Sequence, residues 1–279
     1  MKKILIFLMA FAVIGGGIAT AQEDSLGITA GLELGFPQLA GDPNPDAEFG
    51  LVVKPFVDYA GGSGDMAYEA HLRFPLGILG KAKYGDDMKM DLDLEFDFGY
   101  SLGDLSFGLW GDFGFDLNAD DDAAKLVLAP WLKYNLAMDG VGNIYAKPKF
   151  LLGLVGFGDD VIINMDLIIG WKSEFGLGLE LTPHLWFSPD GPDLYQGLNV
   201  LVSYDISEEM YFEVNFGIPS DMDFGSYSLG SMMGPGLTIS PLFEYRMAPM
   251  AFYLGADIKN IASDFDMGVD LKLGFKYSL

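Results

Sequence analysis

The residues of this chain that could do chemistry are two histidines, several runs of alternating carboxylates and two pairs of lysines. His71 stands between Glu69 and Arg73, and His184 shares an alternate-residue face with Glu180 and Thr182. A histidine beside an acid is the orienting half of a hydrolytic Ser–His–acid set, which also needs a serine within hydrogen-bond reach. No serine stands at a spacing that pairs it with either histidine along the chain. The reading taken is of two histidines set in a polar network, and no enzyme activity is expected. There is no cysteine, so a thiol nucleophile, a disulfide framework and a lipid-acceptor cysteine are all excluded. No metal-ligand spacing and no phosphate-binding glycine loop occurs, so neither a metal nor a cofactor is expected.

The charged residues are arranged by twos. Asp91, Asp93, Glu95 and Asp97 form one acidic ladder, and Asp112 and Asp116 stand on the following segment. Lys125 and Lys133, then Lys147 and Lys149, form basic ladders on the next two segments, and Asp264, Asp266 and Asp270 stand near the end. Side chains two apart lie on one face of a strand. Ladders of opposite sign can pair across strands, or they can set up a field that steers ions.

These ladders are half of a longer pattern. From Asp264 to Leu279, Phe265, Met267, Val269, Leu271, Leu273, Phe275, Tyr277 and Leu279 alternate with polar residues or glycine. Fourteen such segments run through 26–36, 49–59, 66–76, 88–100, 105–117, 126–138, 144–154, 161–171, 175–187, 194–206, 210–218, 237–247, 252–258 and 265–279. Their apolar frames hold 88 positions, none of them Asp, Glu, Lys or Arg, with Gln196 the one strongly polar member. A soluble barrel would have to bury all of these large side chains, yet no amphipathic helix is there to cover them. A transmembrane barrel turns the arrangement inside out, with the apolar frame to lipid and the polar frame to a lumen. The fold expected is all-β: an antiparallel up-and-down transmembrane barrel of about 14 strands, within a range of twelve to sixteen, with an acidic lumen.

The first residues are Met1, Lys2 and Lys3, then an apolar stretch from Ile4 to Ile14 and small residues ending Ala19-Thr20-Ala21. This is the pattern of a cleaved secretory signal over 1–21, leaving 22–279 as a single barrel domain. Removing 21 residues that include two lysines and no acid leaves 258 residues and takes the net charge from −24 to −26. Nucleic acid is excluded as a partner, because phosphate binding needs clustered Lys and Arg.

Two further patterns agree on an orientation. Tyr59, Tyr100, Tyr134, Trp171, Tyr204, Tyr245 and Tyr277 stand in the apolar frame near the end of every second segment, as a periplasmic aromatic girdle would. Connections following these segments are tight, such as Ser101-Leu102-Gly103 and Ala248-Pro249-Met250, whereas the longest connections, including 219–236, lie at the other end. Both chain termini are therefore expected to be periplasmic.

With these features the chain resembles bacterial outer-membrane β-barrels of the small porin or channel type. Its last strand, apolar at 271, 273, 275, 277 and 279, is similar to the C-terminal insertion signal of such proteins but ends on Leu279 in place of Phe or Trp. The resemblance implies an outer-membrane location in a Gram-negative-type envelope and passive diffusion of small hydrophilic solutes or ions. It also implies partners in outer-membrane lipid, periplasmic chaperones and the barrel-assembly machinery. The acidic excess adds a preference for cations, and the uniformly apolar outer frame suggests a monomer. The first strand begins about five residues after the cleavage point, leaving no N-terminal plug. Other readings are a surface adhesin with a plugged lumen, acting through 219–236, and an outer-membrane hydrolase. Pro55, Pro130, Pro148, Pro183 and Pro241 fall inside strands, where β-bulges are expected to absorb them.

Overall fold

The computed structural model describes residues 25–40, 50–80, 88–116, 124–155, 160–187, 194–222, 237–261 and 268–278. The signal segment 1–21, Asp264, Asp266 and most of 219–236 lie outside them, as do the side chains of Asp116 and Lys125. The strands are β1 (Ser25–Ala40), β2 (Leu51–Ser63), β3 (Met66–Arg73), β4 (Leu76–Leu79) and β5 (Lys89–Leu102). Next come β6 (Leu105–Asp116), β7 (Ala124–Met138), β8 (Gly142–Val155), β9 (Asp160–Lys172) and β10 (Leu177–Phe187). The last five are β11 (Leu194–Asp205), β12 (Met210–Met222), β13 (Leu237–Met247), β14 (Met250–Ile261) and β15 (Gly268–Ser278). β12 thus takes up residues 219–222 of the segment read from sequence as loop. Among the described residues no helix is long and apolar enough to cross a membrane.

Apart from β3 and β4, which do not pair with each other, each strand pairs antiparallel with its neighbours in sequence, and β1 pairs with both β2 and β15, so the sheet closes. β3 and β4 are two halves of one stave, broken at Phe74-Pro75 and both paired between β2 and β5. The result is a closed up-and-down barrel of fourteen staves. Closure matters energetically, because it leaves no edge of unpaired N–H and C=O groups. At one rim the connections are two to four residues long. Gly64 (φ 59°) and Gly103 (φ 62°) open two of these turns in the left-handed conformation that glycine adopts without strain.

The period of two separates the faces as the sequence requires. Apolar-frame side chains stand exposed, among them Phe98 at 45%, Phe150 at 55% and Leu254 at 50%. One stretch departs from this pattern. Leu92, Leu94 and Phe113 are buried and packed with Leu72, Phe74 and Leu126, close to the Phe74-Pro75 break. The outer frame is therefore not uniformly exposed.

The five prolines are not absorbed by bulges. Register shifts occur at Phe36/Ala40, Leu51/Val52 and Leu237/Ile239, and none of these is at one of the five prolines. Each proline instead keeps an unbroken ladder on one side and lacks a rung on the other. Pro130 pairs with Leu109 of β6, whereas the β7–β8 ladder passes from Leu128↔Leu152 directly to Trp131↔Lys149 in the same register. Pro148 pairs with Leu167 of β9, and the β7–β8 ladder again skips from Trp131↔Lys149 to Tyr134↔Ala146. Pro183 is paired toward β11 and skipped toward β9, and Pro241 is paired toward β12 and skipped toward β14. Pro55 pairs with Leu32, and its C=O still accepts from Phe74 N at 3.0 Å on the interrupted side. The reason is geometric. In an antiparallel ladder a residue's N–H and C=O point to the same neighbour, so a missing N–H costs a bond on one side only.

Candidate functional site

The polar frame carries the side-chain chemistry, and its contacts repeatedly skip a stave. Three aromatics do this in one way. Trp131 of β7 lies over Gly108 of β6 and Gly99 of β5, and its Nε1–H donates to Asp97 Oδ1 at 2.7 Å. Tyr145 of β8 lies over Gly170 of β9 and donates to Glu180 of β10. Tyr253 of β14 lies over Gly274 of β15 and donates to Glu33 of β1 at 2.9 Å. In each case the glycine leaves room for a flat ring, and the hydroxyl or indole N–H reaches the carboxylate beyond it. Side chains from staves this far apart converge only on the concave side of a curved sheet.

The acidic ladder of β5 is stitched into this frame. Glu95 accepts from Trp110 Nε1 at 2.6 Å and stands 3.5 Å from Arg73 Nη1. Asp97 holds Trp131 and, at 3.3 Å, Lys147. Asp91 lies 3.5 Å from Lys89, and Asp270 lies 2.6 Å from Lys259. The ladder does not face a basic ladder rung for rung. Glu95 is cross-strand partner to Asp112, and Asp91 to Asp116, so β5 and β6 oppose like charges.

The lysines sit on rings. Lys149 Nζ is 3.3 Å from the Trp110 ring centroid, Lys147 is 4.2 Å from that of Trp131, and Lys133 is 4.4 Å from that of Tyr145. Among the described residues, only Lys147 of the three makes an ion pair. An ammonium over a ring face is attracted by the ring quadrupole without being neutralised.

Both histidines are held by acids. His71 Nδ1 is 2.9 Å from Asp58 Oδ1, and its Nε2 is 3.9 Å from Glu69. His184 Nδ1 is 2.6 Å from Asp166, and Nε2 is 2.9 Å from Asn199 Nδ2. With both ring nitrogens of His184 occupied by Asp166 and Asn199, no serine stands in hydrogen-bond contact with it among the described residues. No group of residues able to hold a metal ion occurs among them either.

Farther round, Lys172–Asp205 (3.7 Å), Asp205–Arg246 (3.4 Å), Arg246–Glu244 (2.7 Å) and Glu244–Lys276 (2.6 Å) form an ion chain on four alternate staves. Tyr211 donates to Glu213 beside it, under Arg246. Sequence reasoning missed Trp110, Trp131, Tyr145 and Tyr253. Their signal was an aromatic out of frame, in a polar position one stave from a polar-frame glycine.

The girdle residues lie on the tight-turn side of their staves. Trp171 Nε1–H donates to Val141 O at 3.0 Å in the β7–β8 turn, and Tyr277 pairs with Met250 at the start of β14. Tyr134 (51% exposed), Tyr204, Tyr245 and Tyr277 stand exposed, and Tyr59, Tyr100 and Trp171 are half-buried.

No family model and no curated protein matches the sequence. Solved structures do match the fold. The CymD monoaromatic hydrocarbon channel superimposes with TM-score 0.55 at 10% identity, over 94% of this chain and 89% of that one. OccAB4 of Acinetobacter baumannii gives 0.52 at 9% identity, over 92% and 99%. The P. putida toluene transporter TodX gives 0.51 at 9%, over 91% and 90%. These likenesses show the fold alone, a closed antiparallel β-barrel of the kind found in solved channels and transporters.

Proposed function

We propose that this chain is an outer-membrane channel for passive diffusion of small hydrophilic solutes or ions, with a preference for cations. One observation carries the reading: the closed barrel exposes large apolar side chains on one frame and gathers its charges on the other. Such a surface is costly in water and suited to lipid. About eight strands are filled by side chains and sixteen to eighteen leave an aqueous channel, so fourteen leave a narrow path. Asp91, Asp93, Glu95, Asp97, Asp112 and Asp270 stand on that wall, with Asp116 in the same alternating frame, and acids exceed bases by 40 to 16 in the whole chain, which favours cations. The tight-turn rim with its aromatic girdle faces the periplasm in this reading, and the longer connections face outward. The likeness to solved channels supports the proposal at the level of fold.

The test is to refold the chain without residues 1–21 in detergent and record single-channel current across a planar bilayer under a salt gradient. Stable conductance with a cation-selective reversal potential is expected. A folded, heat-modifiable barrel that passes no current would replace the channel with a plugged barrel acting through its outer connections. Anion selectivity at neutral pH would retain the channel and reject its acidic control.

A further inference from the structure

The lysines of β7 and β8 are seated on aromatic rings, and, like the acids of β5 and β6, two of them oppose a like charge. Lys133 and Lys147 face each other in the register set by Trp131↔Lys149 and Tyr134↔Ala146. Like charges placed opposite one another destabilise a sheet. The carboxylates nearest in the network are already committed. Trp110 and Arg73 hold Glu95, Trp131 and Lys147 hold Asp97, Tyr145 holds Glu180, and His184 holds Asp166. Lys133 and Lys149 contact ring faces and make no ion pair among the described residues. Both are half-exposed. An ammonium carries three N–H donors, and a ring face takes up only one side of it. The remaining donors are open to a solute, and the underlying rings hold the flexible lysine stems in place beforehand.

We propose that Lys133, Lys147 and Lys149, seated on Tyr145, Trp131 and Trp110, form a binding site for the carboxylate of a small organic anion inside the barrel. The site rests on the channel reading for its access to solute. A carboxylate here relieves the repulsion among the lysines and accepts charge-assisted hydrogen bonds chiefly from Lys133 and Lys149, with Lys147 shared with Asp97. The surrounding acids disfavour nonspecific accumulation of anions, so the site selects anions small enough to sit on the lysine strip.

Two of the chain's four tryptophans, Trp110 and Trp131, lie under these ammoniums, so binding can be read without current. The refolded chain in uncharged detergent is titrated with succinate at constant ionic strength while tryptophan fluorescence is recorded. A saturable change is expected, with none for butanediol. In K133Q/K149Q the affinity should fall by about tenfold or more, the loss of at least one charge-assisted hydrogen bond. Lys259 and Lys272, each 2.6 Å from a carboxylate (Asp270 and Asp257), serve as control, since K259Q/K272Q should bind as the parent does. Each variant is first checked for heat-modifiable migration, and K149Q alone is the fallback if the double variant does not fold. No saturable change in the folded parent, or equal affinity in the lysine variant, overturns the site. A barrel that binds succinate yet conducts nothing keeps the site and loses the channel, so the two readings fail separately.

Discussion

The bridge from Tyr253 over Gly274 to Glu33 crosses the joint between the last stave and the first, and it can be tested quantitatively. A Cβ at position 274 would fall inside the Tyr253 ring, so Gly274→Val must displace that ring. Displacement breaks the Tyr253–Glu33 hydrogen bond but leaves Lys54 on Glu33 at 3.0 Å. A hydrogen bond to a charged group contributes about 1.5–3 kcal/mol, and the surviving Lys54 contact puts the expected loss at the lower end. Overpacking adds about 1–3 kcal/mol. Gly274→Val should therefore cost about 3 kcal/mol, and Tyr253→Phe, which removes only the hydroxyl, about 1–2 kcal/mol. The assay is urea unfolding in lipid vesicles followed by tryptophan fluorescence. The decisive comparison is a double-mutant cycle with Tyr253→Ala. With the ring gone, a valine at 274 should cost little, giving a coupling of about 1–3 kcal/mol. A Gly274→Val penalty of the same size in both backgrounds would refute the bridge and leave only a generic strand defect.

Other expectations follow from the same wall. Replacing Asp93, Asp97 and Asp270 together with Asn should move the reversal potential toward zero under a salt gradient, and an unchanged value would remove these acids from selectivity. His184→Ala should lower stability by about 1–3 kcal/mol, because Asp166 loses its 2.6 Å partner. That variant should leave lipid and peptide hydrolysis at background, whereas an activity lost with His184 would revive the hydrolase. Pro130→Val supplies the absent N–H to the β7–β8 ladder, and hydrogen exchange there should slow in the variant relative to its neighbours.

Much of the fold was legible because alternation is a local property. The frame 88–100 became Lys89–Leu102, and 105–117 became Leu105–Asp116. The broken third stave was not legible, since Phe74-Pro75 sits in an otherwise regular alternating run. The site was legible as a set of polar positions but not as a set of contacts. Nothing in the spacing of Tyr145, Gly170 and Glu180 says that they meet, because that depends on the stagger of three staves. The alternation of Asp91 to Asp97 likewise did not reveal that the ladder faces Asp112 and Asp116. Pairing between staves is set by turn length and register, which are long-range quantities.

The interrupted ladders share a further property. The rungs skipped at Pro55, Pro130, Pro148, Pro183 and Pro241 all lie between staves joined by a turn of two to four residues. The opposite ladders are unbroken at these residues, and four of the five are joined by connections of six to fourteen residues, the exception being β8–β9 at Pro148 with four. A short covalent tether keeps two staves in step even when hydrogen bonds are missing, because little closure entropy remains to be overcome. Across a long connection only the hydrogen bonds hold the alignment. The chain thus places its weakest stitches where the thread itself holds the seam, and a proline moved across to the opposite ladder of the same stave would invite slippage rather than a local gap.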